Sequence, residues 1–469
     1  MGAATSIVHF EKMYQDEAQK PLDASDLTDA QCREEVQRMR KLLKEKFSPL
    51  QEMADIPITS PFRDVPMGPP DAILGIKEAF DKDTYDGKVN LSVGAYRDND
   101  GKPVVLPSIR QAEKIILDQE KNHEYAPIAG LAEFVEVSLK FAYGADAEVL
   151  ASKRVAGLQS LSGTGSLRVV GEFYAKMFGT ATRVYVPNPT WGNHIAIFKN
   201  CGLDVRKYRY YHPQTRGLDL EGMLQDIWDA EPGSVFLLHA CAHNPTGVDP
   251  SQEQWKMISR LLLNKRHKVF FDSAYQGFAS GDSEQDAWAI REFIRDGHFI
   301  SLAQSFAKNF GLYGERIGCV SLVCSDEAEA SRVLSQLKLA ARAQYSNPPL
   351  YGARIVHTIL SDPSLHAQWA LECQGMARRI IEMRQLLRAT LESKEEGAGA
   401  SSSWAHITEQ IGMFCYTGLS GDQVKRLAEE FHIYFPVNGR ISICGVNTNN
   451  VQYIADAFHA VTAQSSSKL

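Results

Sequence analysis

A single lysine, Lys308, follows the apolar segment FISLAQS and has no acidic residue in the six positions before it. A lysine in this position can be a solvated side chain, a phosphate ligand or a nucleophile. Only an amine that its surroundings hold neutral can attack a carbonyl group or accept a proton from carbon. The residues that the fold brings beside Lys308 therefore decide its chemistry.

Other side chains capable of chemistry also follow apolar segments. Asp272 and Tyr275 come after KVFF, Asn244 comes after VFLLHACAH, and Trp191 and His194 come after RVYVPNPT. Open α/β sheets place their sites beyond the carboxyl ends of the strands. We therefore expect these side chains to meet at one edge of a sheet.

A glycine-rich segment, LSGTGS at 161–166, precedes a predicted helix, whose N-terminal N–H groups can bind phosphate. Each feature alone has an ordinary structural explanation. NPTG is a good turn sequence, SGTGS is short, and Asp272 can simply cap a helix. Together, a lysine amine, a carboxylate and a phosphate-binding loop are what pyridoxal phosphate requires.

His239 and His243 suggest a metal site, but residues four apart on one strand lie about 13 Å apart, too far to share an ion. The two side chains converge only if the strand has already ended. No carboxylate or cysteine with ligand spacing accompanies them. We therefore predict no metal.

The elements that must position these residues are short strands alternating with helical segments such as QEQWKMISRLLLNKR. This alternation predicts an α/β fold with a mostly parallel sheet flanked by helices. A long helical pattern covers 361–391, and KEEGAGASSS reads as a surface loop. The strands are predicted at 183–188, 235–240, 268–272, 299–305 and 319–323.

Composition excludes several classes of protein. The chain has 469 residues, long enough for two domains, and a net charge of −7, which argues against nucleic acid as a main partner. Eight scattered cysteines without a CxxC pair indicate a reducing compartment rather than a disulfide framework. No apolar segment approaches the ~20 residues that span a bilayer, so we expect no stable membrane insertion.

Residues 1–55 are predicted to be an N-terminal extension with one amphipathic helix, which begins near a capping box at Thr28 and docks on the body of the protein. The acids Glu11, Asp16 and Glu17 argue against an organelle transit peptide, so a cytoplasmic location is predicted. Met1–Ser6 also fits the N-myristoylation pattern at Gly2, and one acyl chain would add only weak membrane association.

The chain resembles the aspartate aminotransferases, fold-type I pyridoxal-phosphate enzymes, over roughly residues 60–465. The resemblance implies a homodimer with shared active sites. It also implies a large cofactor-binding domain at 101–375 and a smaller αβ domain at 56–100 and 376–469. It rests on the motifs VNLSVGAYRD, YAPIAGLAEF, SGTGS, HACAHNPTG, FFDSAYQGF, QSFAKNFGLYGER, YSNPPLYGARIV and NGRISICGVN.

The resemblance also implies roles that agree with the chemistry of the side chains. Lys308 would bond covalently to the cofactor and later move a proton between substrate and cofactor. Asp272, supported by His194, would keep the pyridine nitrogen protonated. Tyr275 and Asn244 would bind the phenolic oxygen of the ring.

Further residues would hold the cofactor from its face and its phosphate end. Trp191 would stack on the ring, and Tyr125 would reach in from a second subunit. The phosphate ligands within the chain would be Ser162, Gly163, Thr164, Ser305 and Arg316.

Two arginines would select dicarboxylic amino and keto acids. Arg440 would bind the α-carboxylate, and Arg342 would bind the distal carboxylate of a substrate in the neighbouring subunit, since a guanidinium offers two parallel donors. Gly94, Trp191 and Asn244 would also lie beside the substrate. Tyr345 stands where the family often has tryptophan, and Ala307 where it often has serine; both leave fine substrate preference open.

The predicted reaction is reversible amino transfer from L-aspartate to 2-oxoglutarate by a ping-pong mechanism. Two alternatives stay open at this point. One is an enzyme with the same cofactor that also accepts aromatic amino acids. The other is a non-catalytic relative whose extension makes it a scaffold, although such a protein has no need of Lys308, Asp272, Tyr275, Arg342 and Arg440 together.

Overall fold

The computed structural model of the protein describes residues 28–52, 60–68, 74–394 and 404–463. The chain divides into two compact units, residues 1–69 and 70–469. In the first unit, helix α1 (Asp29–Glu52) begins after Thr28, whose backbone N–H donates to Gln31 Oε1 at 3.1 Å. The extent of the extension (1–55), and the large and small domains suggested by the resemblance, stay predictions. The acylation predicted at Gly2 lies outside the described residues.

The strands of the second unit are short. In chain order they are β1 (Val89–Asn90), β2 (Val155–Leu161), β3 (Arg183–Asn188), β4 (Asp204–Arg209), β5 (Tyr211–His212), β6 (Gly217–Leu218), β7 (Val235–His239), β8 (Lys268–Ser273), β9 (Ser301–Ser305), β10 (Ile317–Val323), β11 (Phe414–Tyr416), β12 (Ile433–Tyr434) and β13 (Arg440–Ser442).

Helices connect most of these strands. They are α2 (Leu74–Lys82), α3 (Pro107–Asp118), α4 (Ala132–Tyr143), α5 (Glu148–Ala151), α6 (Ser162–Phe178), α7 (Gly192–Asn200), α8 (Leu220–Asp229), α9 (Gln252–Asn264), α10 (Ser283–Asp286), α11 (Trp288–Arg295), α12 (Glu327–Gln344), α13 (Tyr351–Ser361), α14 (Pro363–Glu392), α15 (His406–Glu409), α16 (Gly421–Phe431) and α17 (Val451–Ala463). Within the described part of the chain, no helix combines the length and apolarity that a membrane crossing needs.

A seven-stranded sheet forms the centre of the second unit, in the order β2-β10-β9-β8-β7-β3-β4. Strand β10 is antiparallel to both neighbours, and the other pairs are parallel. Helices cover both faces of the sheet. On one face the ring centre of Phe271 lies 5.0 Å from that of Phe293 in α11, and on the other the ring centre of Phe270 lies 6.0 Å from that of Tyr174 in α6. The predicted α/β fold is confirmed.

The five predicted strands correspond to β3, β7, β8, β9 and β10. The predicted long helix corresponds to α14, which Asp362 caps by accepting from the backbone N–H groups of Ser364 and Leu365, with Pro363 in the first turn. Strands β2 and β4 were not predicted. A shorter parallel pair, β1 with β12, joins residues 89–90 to residues 433–434.

Asp83 ties the segment before β1 to the segment around β12. Its Oδ2 accepts from the Tyr434 hydroxyl at 2.6 Å and lies 2.7 Å from His432 Nδ1, and its Oδ1 accepts from the Tyr85 N–H at 2.9 Å. The Tyr434 and Tyr85 bonds lower the Asp83 pKa to about 2. Asp83 therefore contributes stability as a carboxylate.

We expect Asp83→Asn to lower the free energy of unfolding at neutral pH. Because the folded-state pKa is depressed, the contribution of Asp83 is fully present above its ordinary value of 3.8 and is lost as pH falls toward about 2. Denaturant unfolding of wild type and variant should therefore differ most above pH 4 and converge in acid. The exposed Asp86→Asn is the control, and a pH-independent difference would contradict the assignment.

Candidate active site

A cavity of about 240 Å³ opens at the carboxyl ends of β2, β7, β8 and β9, where the sequence predicts a site. Most of the predicted site residues line it. They are Gly94, Ser162, Gly163, Thr164, Trp191, Asn244, Asp272, Tyr275, Ser305, Lys308, Arg316 and Arg440.

Lys308 lies three residues beyond the end of β9, in a turn anchored by the buried rings of Phe306 and Phe310. Its Nζ is 5.5 Å from the centre of the Tyr275 ring. Desolvation by the surrounding protein lowers the Lys308 pKa, and the charge of Arg316 lowers it further, against the opposing effect of Asp272. The site therefore favours a neutral amine, the form that acts as nucleophile and base.

Asp272 lies at the end of β8 and is buried. Its Oδ2 is 3.0 Å from His194 Nε2, and His194 Nδ1 is 2.8 Å from the Thr190 hydroxyl. If Nε2–H donates to the carboxylate, Nδ1 accepts from the hydroxyl, so the imidazole is held in one tautomer. Burial raises the Asp272 pKa, but the hydrogen bond with His194 and the electrostatic effects of the neighbouring His194, His239 and Lys308 side chains more than offset this, and the pKa lies below its ordinary value. Asp272 is thus a buried anion.

The glycine-rich segment forms the first turn of α6. Ser162 has a φ of +61°, and its hydroxyl lies 2.9 Å from that of Ser305. A Cβ on Gly163 would lie 3.4 Å from Ser305 Cβ, an ordinary van der Waals distance, so Gly163 and Ser305 are neighbours in the cavity wall. The segment forms a suitable anion site. Its donors are the hydroxyls of Ser162 and Ser305, the backbone N–H groups at the start of a 17-residue helix and the exposed guanidinium of Arg316.

Arg440 is buried at the start of β13. Its Nη2 donates to the carbonyl of Ser92 at 2.6 Å, and its Cζ lies 4.2 Å from the ring centre of Phe414. Burial lowers the Arg440 pKa to about 10, so it stays cationic at neutral pH. A desolvated guanidinium on the cavity wall is suited to bind a carboxylate.

The turn that carries Asn244 begins where β7 ends. Ala242 has a φ of +50°, a left-handed conformation that is unfavourable for any residue with a Cβ. The Asp249 carboxylate accepts hydrogen bonds from the backbone N–H groups of Ala242 at 2.6 Å and of His243 at 2.9 Å. Asn244 N–H lies 3.3 Å from His239 Nδ1. Asp249 thus fixes the turn and with it the position of Asn244.

This turn corrects the predicted separation of His239 and His243. Their ring centres lie 4.3 Å apart, so the predicted distance of about 13 Å is wrong. The strand ends at His239, and the chain then folds back on itself. Burial lowers the His239 pKa to about 3 and the His243 pKa in the same direction, which keeps both rings neutral. The described residues contain no group of three or more potential metal ligands.

Three cavity residues were not predicted in this role: His239, Ala274 and Phe414. His239 was considered only as a metal ligand, although its place at a strand end could have indicated the cavity. Phe414 lies 6.4 Å from Tyr275 between ring centres, and burial raises the Tyr275 pKa above its ordinary value. Phe414 is distant in sequence from the other site residues, and its local sequence carries no signal.

Arg384 of α14 holds the segment that carries Phe414. This buried guanidinium donates to the carbonyls of Ile407 at 2.7 Å, Gly412 at 2.8 Å and Phe414 at 2.5 Å. A Cβ on Gly412 would lie 2.4 Å from Ala242 Cβ, so the same segment packs directly against the Asn244 turn. Arg384 therefore stabilises one wall of the cavity.

We expect Arg384→Met to reduce the free energy of unfolding by about 3–5 kcal/mol, because three buried carbonyls lose a charged donor. Urea denaturation followed by circular dichroism measures this loss. Arg378→Met, an exposed change on the same helix, is the control and should have little effect. Equal small losses in both variants would contradict a role for Arg384 in holding this wall.

Tyr125 and Arg342 do not line the cavity of their own chain. Tyr125 is 86% exposed, and Arg342 is exposed near the end of α12. This placement is compatible with donation to another subunit. Their predicted roles there stay predictions.

The cavity residues fit pyridoxal phosphate. Asp272 Oδ1 is buried and has no hydrogen-bond partner among the described residues, as a carboxylate reserved for a ring N–H would be. A desolvated lysine and an anion site lie on the same cavity. These are the groups that bind the nitrogen, aldehyde and phosphate of that cofactor.

Residues 86–458 match the sequence profile of the family described as aminotransferase class I and II. The chain is 53% identical over 404 residues to the mitochondrial aspartate aminotransferase of Dictyostelium discoideum, covering 86% of this chain and 94% of the relative. It is 52% identical over 408 residues to the Arabidopsis thaliana mitochondrial enzyme, covering 87% and 94%. The aromatic-amino-acid aminotransferase from Burkholderia pseudomallei, solved covalently bound to pyridoxal phosphate, has a TM-score of 0.83 and 41% identity, over 86% of this chain and all of that one.

The prediction of a cytoplasmic location is wrong, because the curated relatives are mitochondrial enzymes. The composition could not reveal this. Scattered cysteines indicate only that thiols stay reduced, and they do not identify the compartment. The acids cited against a transit peptide, Glu11, Asp16 and Glu17, lie outside the described residues.

Proposed function

The chain belongs to the aminotransferase class I and II family, and from that premise we propose its reaction and the roles of its residues. The reaction is the reversible transfer of the amino group of L-aspartate to 2-oxoglutarate, which gives oxaloacetate and L-glutamate. The cofactor is pyridoxal 5′-phosphate. The chain is therefore an aspartate transaminase.

One observation carries the assignment of roles: Lys308, Asp272 and Arg440 line a single cavity beside the turn of Ser162 and Gly163. When bound, pyridoxal phosphate withdraws electrons from the substrate's Cα, so that the proton on this carbon can leave. Ser162, Gly163, Thr164, Ser305 and Arg316 would hold the phosphate. Trp191 would stack on the ring.

The chain's own groups supply the proton chemistry. The pKa of Lys308 is lowered, which favours its neutral form, and in that form the amine would accept the proton from the substrate's Cα and pass it on to the cofactor. Asp272 would keep a ring nitrogen protonated, and the bonds of His194 to Asp272 and to Thr190 would hold the carboxylate in place for this. Tyr275 and Asn244 would donate hydrogen bonds to the phenolic oxygen.

Substrate orientation would come from the two arginines. Arg440 would bind the α-carboxylate, with Gly94, Trp191 and Asn244 beside it. The enzyme would be a homodimer in which Arg342 and Tyr125 of the partner subunit complete each cavity. Support comes from their exposure and their absence from the cavity walls of their own chain.

The location of the relatives supports a mitochondrial location for this chain. Fractionation of cells that express the untagged protein tests this, with a matrix marker as reference. Recovery of the protein mainly in the soluble cytosolic fraction would oppose it.

Steady-state kinetics with a panel of amino acids tests the function. We expect kcat/KM for aspartate and glutamate to exceed that for phenylalanine by at least about thirtyfold, because a paired buried charge is worth 2–5 kcal/mol or more. Adding aspartate to the yellow holoenzyme should also change its visible absorption band. Comparable rates on phenylalanine would indicate a broad-specificity enzyme, and an unchanged band would indicate a non-catalytic protein.

A further inference from the structure

Gln159 connects the two chain segments that follow Tyr125 and Arg342. It is fully buried on β2, and its side-chain Oε1 accepts from the N–H of Leu131 at 3.1 Å. Its Nε2 donates to the carbonyl of Pro349 at 2.6 Å. One amide group therefore bonds to both segments at once.

The backbone of Gln159 adds two further links to the same segments. Its N–H donates to the carbonyl of Ala129 at 2.9 Å, and its carbonyl accepts from the Tyr345 hydroxyl at 3.1 Å. Gly130 has a φ of +86°, and a Cβ there would lie 2.1 Å from Gln159 Cβ. The segment is thus seated against β2 so closely that only glycine fits.

A second set of bonds joins the segments directly. Asn347 Nδ2 donates to the carbonyl of Ala126, next to Tyr125, at 2.6 Å. Arg342 Nη1 donates to the Ser346 hydroxyl at 2.5 Å and lies 3.4 Å from Asn347 Oδ1. A continuous hydrogen-bonded path therefore runs from the guanidinium of Arg342 to the residue beside Tyr125.

We propose that Gln159 is a positioning residue for the neighbouring active site: it holds Tyr125 and Arg342 in one preformed frame, so that each subunit presents both groups to its partner together. This inference rests on the proposed shared sites of the homodimer. Gln159 lies on the edge strand of the sheet, three residues before the anion-binding turn of its own chain. The frame therefore extends from a subunit's own sheet to the groups it donates.

The size of the expected effect follows from geometry. A misplacement of about 1 Å caused by a mutation far from the chemistry can cost about a hundredfold in rate. Gln159→Leu keeps the approximate size of the side chain but leaves the Leu131 N–H and the Pro349 carbonyl without their partner. We expect kcat/KM for aspartate to fall about 10- to 100-fold, and that for alanine, which has no distal carboxylate, to fall much less.

Tyr345→Phe is a milder variant that removes only one hydroxyl bond to Gln159. It should lower the ratio of kcat/KM for aspartate to kcat/KM for alanine, as Gln159→Leu does, but by a smaller factor. Gln225→Leu, an exposed change on α8, is the matched control and should leave the ratio unchanged. Saturating cofactor in all assays prevents cofactor loss from being mistaken for a substrate effect.

Hybrid dimers show in which subunit Gln159 acts. When Gln159→Leu and Lys308→Ala are on different chains, the one live site receives its donated groups from a chain with normal Gln159. Its kcat/KM for aspartate should then be close to the wild-type value per live site. When both changes are on one chain and the other chain is wild type, the live site receives misplaced groups and should keep the full defect.

A defect that is present in the first hybrid and absent from the second would overturn the proposal, because Gln159 would then act within its own subunit. Equal defects in both hybrids would also overturn it, because the effect would not follow the donated groups. The hybrid of Arg342→Ala with Lys308→Ala, run in parallel, separates this result from a failure of the shared-site model itself. If that hybrid recovers no aspartate activity, the proposed function is at fault rather than the role of Gln159.

Hydrogen–deuterium exchange supplies a measurement that does not depend on activity. In Gln159→Leu, amides of residues 126–131 and 345–349 should exchange faster together, with and without cofactor, while the core strands β8 and β9 stay protected. Faster exchange across the whole sheet would mean general destabilisation and would count against a specific positioning role.

Discussion

Lys308→Ala is expected to abolish steady-state transamination, with a loss in kcat of at least about 10⁴-fold, the upper range for removing one general base. The loss should be larger than this range suggests, because the same amine would also bond to the cofactor. Asp272 and the anion-binding turn do not depend on the lysine, so the variant should still fold and bind some pyridoxal phosphate. Circular dichroism and cofactor absorbance test these two points.

Single-turnover experiments make this prediction sharper. The variant mixed with aspartate should show negligible conversion of substrate, and added small amines should restore part of the rate by replacing the missing base. Lys207→Ala, an exposed lysine on β4, serves as the control. Substantial turnover by the Lys308 variant without added amine would remove Lys308 from the mechanism.

The central strands could be predicted because their sequences meet simple physical demands. Strands β7 and β8 are covered by helices on both faces, so each contains a continuous apolar segment, VFLL in β7 and VFF in β8. The edge strand β4, DVRKYR, has only one neighbour and several exposed charges, so its sequence resembles a surface segment. Burial on both sides produces a readable pattern, and an edge position does not.

Strand β2, VAGLQSL, was missed for a different reason. Gln159 and Ser160 are fully buried polar residues in its second half, which breaks the apolar pattern. The side chain of Gln159 has partners far away in sequence, such as the carbonyl of Pro349, 190 residues away. Polar groups that are satisfied by distant segments look like loop residues until the fold is known.

The candidate site was predictable wherever its residues directly follow strands. Asp272 and Ser305 lie at strand ends, and Lys308 follows a few residues later, so sheet topology alone brings them to one edge. Phe414 reaches the cavity only through the packing of α14 and the bonds of Arg384. The distance between His239 and His243 depends on the residue at which β7 ends. The hydrophobic periodicity of the sequence does not locate a strand end to a single residue.

Arg342→Ala is expected to lower kcat/KM for aspartate and glutamate by roughly thirtyfold to several thousandfold, since losing one partner of a buried charge pair costs about 2–5 kcal/mol. The distal carboxylate must leave water to enter the cavity, and without a cation its desolvation is uncompensated. Phenylalanine and alanine lack that carboxylate, and their α-carboxylate still meets Arg440. Their rates should therefore change little.

A mixed dimer locates the effect in the other subunit. When Arg342→Ala and Lys308→Ala are on different chains, one cavity has the lysine of its own chain and Arg342 of the partner subunit, and the second cavity has neither. Aspartate activity should return to about half of the wild-type value per dimer, although each parent variant is nearly inactive on aspartate.

Because exposed Arg342 bonds to Ser346 and Asn347 in its own chain, substituting it also removes those bonds. Arg342→Lys controls for this, since it keeps the charge but not the paired donors, and it should recover only part of the aspartate rate. Equal losses on aspartate and phenylalanine in Arg342→Ala would refute the role of Arg342 in selecting a diacid.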